Sequence, residues 1–124
     1  MRLLLDTHAA LWWLSADTRF GDEAAGHVSD DTNQVLLSAA VVWEVSVKRS
    51  LGKLTAPPDF VAAMSSAGVQ PLAVTIEHAA AVEGLPWHHR DPFDRMLVAQ
   101  AGVERTAIVS RDPAFRPYAV EIIW

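Results

Sequence analysis

Acidic residues at separated points of the chain have the chemistry that a reaction centre needs. The candidates are Asp6, Glu44, Asp94 and Asp112. Asp6 directly follows the apolar run at 3–5, and Asp112 comes soon after a second apolar run at 107–109. A carboxylate is rarely buried unless it is paired or metal-bound, and converging carboxylates repel one another unless a cation neutralises them. The pattern therefore predicts one acidic pocket that holds Mg²⁺ or Mn²⁺ and acts on phosphate.

Length and composition narrow the class of protein. The chain has 124 residues, 51% of them hydrophobic, so one folded domain over 1–124 is expected. It has no cysteine, which excludes disulfides, thiolate zinc sites and cysteine nucleophiles. No apolar stretch approaches the roughly 20 residues of a membrane span, and a cytoplasmic location is expected. A net charge of -5 disfavours a simple nucleic-acid binder, but a nuclease can recruit positive charge locally.

Strand-like and helix-like patterns alternate along the chain, which predicts an α/β fold with a parallel sheet between helices. Strands are predicted at 3–6, 34–37, 69–74, 106–109 and 120–123. Helices are predicted at 7–15, 22–31, 39–51, 57–68, 76–83 and 92–102, with Ser38, Thr75 and Asp91 as N-caps. Ligands of such sheets bind beyond the carboxyl ends of the strands, where Asp6 and Asp112 lie.

Asp6 and Glu44 each have a competing local explanation. Asp6, with Thr7, could simply cap the first helix. Glu44 could form an i,i+4 ion pair with Lys48, worth about 0.2–0.5 kcal/mol if exposed. That pair does not explain why Glu44 falls within a wide apolar arc shared by Ala40, Val47 and Leu51.

The segment around the last long helix holds two carboxylates with different expected roles. Asp91 followed by Pro92 is typical of a helix start, so Asp91 is interpreted mainly as a cap. Asp94 shares a face with Leu97, Val98 and Ala101, at the mouth of the predicted packed side. Asp112 precedes Pro113, and turn chemistry alone could account for it.

The remaining reactive or aromatic residues favour structural roles. Adjacent His88 and His89 point in different directions in most backbones, so they make a poor zinc motif. His8 lies two residues after Asp6, but a partly buried structural histidine is the simpler interpretation. The five tryptophans are interpreted as core and interface residues, with Trp12, Trp13 and Trp87 as candidates for a partner surface.

The chain resembles the PIN-domain ribonucleases, and in particular the VapC toxins of bacterial type II toxin–antitoxin pairs. The resemblance covers nearly the whole chain and rests on the segments at 3–12, 38–48, 89–101 and 108–112. By this resemblance the four acidic residues fall on the family's metal site. Asp6, Asp94 and Asp112 would hold metal, and Glu44 is a further candidate ligand. Thr7 and Ser110 match the supporting hydroxyl positions.

The resemblance also implies an architecture, an activity and partners. The fold would be PIN-like, a three-layer α/β/α arrangement around a central, mainly parallel sheet. The activity would be that of a cytosolic, Mg²⁺- or Mn²⁺-dependent endoribonuclease that inhibits translation. A homodimer is implied, together with a cognate VapB-type antitoxin that blocks the acidic groove with an Arg or Lys. DNA binding would be a property of that antitoxin and not of this chain.

The mechanistic hypothesis is attack of a metal-activated water on the scissile phosphate, leaving a 5′-phosphate and a 3′-hydroxyl. Candidates for guiding the RNA backbone are Lys48, Arg49, Lys53, Arg90, Arg95 and Arg111. One alternative is a metal-dependent phosphatase, which usually needs a second aspartate two positions after the first, where this chain has His8. Another is a non-catalytic protein-interaction module that uses its tryptophans and no metal.

Overall fold

The computed structural model describes residues 1–124 and contains one five-stranded, entirely parallel sheet. The strands are β1 (Arg2–Leu5), β2 (Gln34–Ser38), β3 (Gln70–Leu72), β4 (Ala107–Val109) and β5 (Ile122–Ile123). Their spatial order is β3-β2-β1-β4-β5, so the first strand lies at the centre. In register, Leu5 of β1 pairs with Val109 of β4, and Leu4 pairs with Leu36 of β2. The predicted parallel sheet is confirmed.

Six α-helices connect and cover the strands. They are α1 (Thr7–Leu14), α2 (Asp22–Ser29), α3 (Ala39–Ser50), α4 (Phe60–Ser66), α5 (Ile76–Ala81) and α6 (Pro92–Glu104). Two single-turn 3₁₀ helices follow α5 and β4, at Val82–Gly84 and Pro113–Phe115. None of the helices has both the length and the apolar character that crossing a bilayer would demand.

The central strand explains why helices must lie on both faces of the sheet. Leu3, Leu4 and Leu5 are all fully buried. Successive side chains of a strand point to opposite faces, so complete burial of three in a row requires cover on each side. The predicted three-layer α/β/α arrangement is thereby confirmed. These leucines belong to one hydrophobic core of 23 buried residues.

Local capping chemistry sets several helix starts as predicted. Ser38 accepts a hydrogen bond from the Ala40 amide at 3.0 Å, at the start of α3. Thr75 and His78 form a reciprocal capping box at α5. Asp91 accepts from the amides of Phe93 and Asp94, so its interpretation as the cap of α6 is confirmed.

Element ends differ from the predictions where packing outweighs local signals. Strand β3 has three residues instead of the six predicted, and it contains Pro71, which is tolerated because β3 is an edge strand. Helix α6 does not end near Gly102. It runs to Glu104, and Arg105 then takes the left-handed conformation (φ 55°) that terminates it.

The buried face of α3 is rotated relative to the predicted apolar arc. Ala40, Val41, Glu44 and Val45 are buried, whereas Leu51 is exposed. The burial of Glu44 is therefore as expected, but its neighbours in the core are Val41 and Val45. Trp43, next to Glu44 in sequence, is 61% exposed on the other side of the helix.

Candidate metal centre

The carboxyl ends of the two central strands create the site. Because β1 and β4 are paired neighbours, the residues that follow them emerge at the same edge of the sheet. Asp6 directly follows β1, and Ser110, Arg111 and Asp112 follow β4. Asp6, Arg111 and Asp112 line one cavity of about 300 Å³ together with His8, Trp12 and Pro113. The predicted convergence of Asp6 and Asp112 is observed.

Asp6 combines a capping role with a place in the pocket. One carboxylate oxygen accepts from the Ala9 amide at 2.8 Å, and the other accepts from the Ser110 hydroxyl. The side chain is 6% exposed. Burial raises the pKa of Asp6 above its usual range, against the opposing hydrogen bonds from Ser110 and Ala9, and the charge of Asp112 adds to the rise. The cap explanation and the pocket explanation therefore both hold.

Glu44 is buried but electrostatically balanced. It is 5% exposed, and its Oε1 accepts from the Thr7 hydroxyl at 2.8 Å. Its Oε2 lies 2.5 Å from the Lys48 ammonium, which is the i,i+4 pair considered from the sequence. The hydrogen bond to Glu44 raises the pKa of Lys48, so this lysine stays charged. Thr7 and Lys48 thus hold the Glu44 carboxylate in place from two sides.

Asp94 lies in the first turn of α6 and is only partly balanced. Its Oδ2 lies 2.7 Å from Nε2 of His89. Burial raises the pKa of Asp94 to about 6 against the opposing hydrogen bond from His89, and the charges of Asp91 and Glu44 raise it further. Burial is the main cause of this rise, so Asp94 ionises less readily than an exposed carboxyl group, as residues at functional sites often do.

A compact set of donor atoms is formed by His89, Asp94 and Asp112. One donor atom from each residue lies within 4.8 Å of the others. Asp6 and Glu44 lie outside this set, although the charge of Asp112 raises the pKa of Asp6 and the charge of Glu44 raises the pKa of Asp94. Two carboxylates and one imidazole are suitable ligands for a divalent cation. The donor set therefore fits the predicted metal, but it is not the purely acidic one expected.

His89 is the residue of this region that sequence reasoning missed. The sequence suggests for it only a poor zinc motif with the adjacent His88. The informative signal was its position directly before the Arg90-Asp91-Pro92 helix start, since a chain entering a helix passes close to that helix's first turn. In the structure this brings the His89 ring to Asp94 in the first turn of α6.

The predicted RNA-guiding residues are scattered. Arg111 is exposed, lines the Asp6–Asp112 cavity, and places its guanidinium carbon 4.6 Å from the Trp12 ring centroid. Lys48 is engaged with Glu44. Arg49 donates to the Pro57 carbonyl and lines a different cavity. Arg90 also lines a separate, largely apolar cavity, and Lys53 is exposed beyond α3.

The expectation that Arg95 guides RNA is corrected by its burial. Arg95 is 3% exposed, and its guanidinium lies 3.8 Å from the Trp87 ring centroid. It donates at 3.0–3.4 Å to acceptors on the chain segment before α6 and to Tyr118; the carbonyl acceptors are those of Val82, Leu85, Pro86 and His89. A guanidinium occupied in this way is a structural clamp and is not available to a phosphate.

Comparison with solved structures shows similarity over almost the entire chain. A chain of VapBC2 from Rickettsia felis, solved with a promoter DNA fragment, matches with a TM-score of 0.68 at 12% identity, covering 98% of this chain and 97% of that one. A chain of DNA-bound VapBC from Salmonella typhimurium matches with a TM-score of 0.68 at 16% identity, covering 98% of this chain and 96% of that one. A chain of VapBC-5 from Mycobacterium tuberculosis matches with a TM-score of 0.62 at 20% identity, covering 98% of this chain and 97% of that one. At these identities the likeness establishes the fold.

Sequence comparison gives the family. No curated protein matches the chain. The family model described as PIN domain matches residues 3–121, a range that contains β2, β3, β4, most of β1 and all four predicted acidic residues. With a matching sheet topology and an acidic cluster at the carboxyl edge of the sheet, the chain belongs to the PIN-domain family.

Proposed function

We propose that this protein is a VapC-type toxin, a divalent-metal-dependent endoribonuclease that cuts selected cellular RNA in the cytoplasm and so inhibits translation. The observation that carries the proposal is the compact donor set of Asp94, Asp112 and His89 beside the buried Asp6 in a PIN-family chain. Mg²⁺ or Mn²⁺ bound there would supply Lewis-acid stabilisation of charge on the scissile phosphate and lower the pKa of a water.

The protein's own residues have separable roles in this proposal. Asp94 and Asp112 hold the cation, and Asp6 completes the acidic pocket from β1, directly or through water. The Ser110 hydroxyl fixes one oxygen of Asp6, and the Thr7 hydroxyl with Lys48 fixes Glu44. Since both Glu44 oxygens already have protein partners, we assign Glu44 to orienting water and keeping Lys48 at the site.

Arg111 is the best-supported contact for the RNA backbone. It lines the same cavity as Asp6 and Asp112, and its guanidinium packs on Trp12. No ion pair neutralises it, so its charge is available to a phosphate next to the scissile one. The Trp12 contact limits the motion of the long side chain, which reduces the entropy lost when RNA binds.

A partner protein is part of the proposal. The similar structures are VapBC assemblies, which supports a VapB-type antitoxin for this chain, and a homodimer is proposed as well. Large apolar side chains are available for such contacts: Trp43 packs edge-on against Phe93, and Trp87 is 74% exposed on the same cavity. An antitoxin Arg or Lys that reaches the acidic pocket would neutralise it as a cation does.

The test is cleavage of total cellular RNA by the purified protein with Mg²⁺, Mn²⁺ or EDTA, with the cut ends mapped. The Asp94→Asn variant removes one carboxylate charge at nearly constant shape. Asp31→Asn is the matched control, because Asp31 is exposed on the chain after α2. We expect discrete, metal-dependent cuts with 5′-phosphate ends, a loss of more than about 100-fold in Asp94→Asn, and no change in the control.

Three results would count against the proposal. Equal cutting by the wild type and Asp94→Asn would show that the acidic cluster takes no part in the cleavage reaction. Products with 2′,3′-cyclic phosphate ends would show that the 2′-hydroxyl attacks instead of water. Absence of cutting with every metal would favour the alternative of a protein-interaction module.

A further inference from the structure

We propose that His89 is a nitrogen ligand of the cation held by Asp94 and Asp112, and that it makes this site favour transition-metal ions such as Mn²⁺ over Mg²⁺. The inference rests on the proposed function, because it concerns the ion of that same site. It adds a ligand that the acidic set does not contain, and with it a basis for selecting the metal.

The distances within the donor set fit a shared ion. Neighbouring ligands on an octahedral ion with bonds of about 2.1 Å lie roughly 3 Å apart, and opposite ligands roughly 4.2 Å apart. His89 Nε2 and Asp94 Oδ2 are already 2.7 Å apart, and all three donor atoms lie within 4.8 Å. Small side-chain rotations would therefore bring all three onto one ion. In that state the lone pair of the imidazole nitrogen that now faces Asp94 would bind the metal, and any proton on that nitrogen would be released to solvent.

The backbone of His89 is held from two sides, which preorganises the ring. Its amide donates to the Tyr118 hydroxyl at 3.0 Å, and its carbonyl accepts from Arg95 at 3.4 Å. Both partners are almost fully buried. Arg95 and Asp94 are adjacent in the first turn of α6. This turn therefore supplies both the guanidinium that binds the His89 carbonyl and the carboxylate that contacts the His89 ring. Metal ligands supported in this way bind more tightly than mobile ones.

The chemistry of the imidazole gives the expected selectivity. Mg²⁺ prefers oxygen ligands and keeps several waters, so a nitrogen donor adds little to its binding. Transition-metal ions gain more from imidazole. If His89 only donated a hydrogen bond to Asp94, the preference between Mn²⁺ and Mg²⁺ would be set by oxygen atoms alone, and removing the imidazole would weaken both ions to a similar degree.

His8 provides a matched control, because it lies near Asp112 without belonging to the donor set. It lines the cavity with Asp6 and Asp112, yet it is exposed and outside the compact donor set. Its ring packs at a tilt against Trp12, 5.5 Å between centroids. A histidine near the ion but not bound to it should give no direct nitrogen coupling to Mn²⁺.

The test is pulsed electron paramagnetic resonance of the Mn²⁺-loaded full chain, comparing wild type, His89→Gln and His8→Gln. We expect the electron-spin-echo modulation of a directly bound ¹⁴N in wild type and in His8→Gln, and its loss in His89→Gln. Calorimetric titration should show Mn²⁺ affinity reduced at least about tenfold by His89→Gln. The affinity for Mg²⁺ should change by less than about threefold.

Three outcomes overturn the inference. Mn²⁺ that binds wild type without nitrogen coupling would limit His89 to a hydrogen bond with Asp94, and the proposed nuclease would stand. Failure of Mn²⁺ to bind at all would overturn this inference and the proposed metal dependence together. If His89→Gln does not fold, ¹⁵N-histidine labelling of the wild type must still change the modulation pattern, and an unchanged pattern would refute the nitrogen ligand.

Discussion

Helix α6 connects two polar clusters that differ in how far their charges are neutralised. At its start, Asp94 interacts with Glu44 and lies close to Asp112, which in turn interacts with Asp6; these four residues form the acidic cluster. Further along, a second polar network contains the buried Ser38, His78 and Gln100 and the partly buried Glu104. Both clusters tie α6 to other parts of the fold, so position alone does not distinguish them. What differs is how completely each polar group finds a partner.

The polar network is complete. Gln100 is fully buried; its oxygen accepts from the Ser38 hydroxyl at 2.6 Å, and its amide nitrogen donates to the Ala73 carbonyl at 3.3 Å. His78 Nε2 lies 3.0 Å from a Glu104 oxygen. With donors matched to acceptors, this network needs nothing from outside, and it fixes how α6 packs beside β2 and α5.

The negative charge of the acidic cluster is largely not neutralised by neighbouring cations. Of its four carboxylates, only Glu44 has an ion pair with a lysine or arginine. Burial raises the pKa of Asp6 and of Asp94 instead of being offset by a cation. Such a cluster is costly in the metal-free state and becomes favourable when a cation binds. The contrast teaches that satisfied buried polar groups specify the fold, whereas an excess of one charge indicates a ligand site.

The largest stability effect is expected at Arg95, the buried cation that is satisfied. Arg95→Met should lower the free energy of unfolding by about 2–4 kcal/mol, because several carbonyls of the segment before α6 lose their donor. Urea denaturation measures this. Arg116→Met, at an exposed arginine, should change the value by less than about 0.5 kcal/mol. Equal, small effects at both sites would contradict the clamp.

A change in the polar network should affect stability without affecting chemistry. Gln100→Leu leaves the Ser38 hydroxyl and the Ala73 carbonyl without a buried partner and should reduce the free energy of unfolding by about 1–3 kcal/mol. Cleavage per folded molecule should be unchanged. A variant that keeps its stability but loses RNA cleavage would break the distinction between the two clusters.

The acidic cluster should give the metal-free protein a characteristic pH dependence. The pKa of Asp94 in the folded state is about 6, above its ordinary value of 3.8, so the folded state binds more protons between these values. Stability contributed by protonated Asp94 is therefore present at low pH and lost as pH rises from about 4 to 6. Denaturation in EDTA should show a decline of about 1–2 kcal/mol that Asp94→Asn lacks. If the free energy of unfolding of wild type and of Asp94→Asn depended on pH in the same way, the raised pKa of Asp94 would be contradicted.

The smallest effect is expected at Arg111, on the rim of the acidic cavity. Arg111→Gln should raise KM for RNA about 3- to 10-fold with little change in kcat, since one phosphate contact is lost. The slope of log binding affinity against log salt concentration should fall by about 0.7 for single-stranded RNA. Arg116→Gln serves as the control. An unchanged salt slope would place the RNA path elsewhere.

The sequence was informative where structure depends on local signals. The run Leu3-Leu4-Leu5 predicted a central strand because its apolar character is continuous, and Ser38 and Asp91 predicted helix starts because caps act within three residues. The positions of Asp6 and Asp112 beyond adjacent strands followed from the rule for parallel sheets. These predictions required no knowledge of distant contacts.

The predictions failed where distant segments decide the outcome. The sequence suggests that Arg95 is a surface cation. Its hydrogen-bond acceptors, from Val82 to Tyr118, come together only through tertiary packing and cannot be identified from local sequence. From the sequence, His89 forms only a poor metal motif with His88. Its contact with Asp94 forms because the chain turns into α6 between the two residues. The exposure of Trp43 depends on how far α3 is rotated in its packing, and periodicity gives that rotation only approximately.

The most direct test of the central claim compares the two clusters in one titration. Urea denaturation of wild type, Asp94→Asn and Gln100→Leu would be measured in EDTA and in Mn²⁺. We predict that Asp94→Asn is at least as stable as wild type in EDTA, and that Mn²⁺ stabilises wild type and Gln100→Leu but not Asp94→Asn. If Mn²⁺ stabilises none of the three, and Asp94→Asn loses more than about 1 kcal/mol in EDTA, the acidic cluster is structural and the account is wrong.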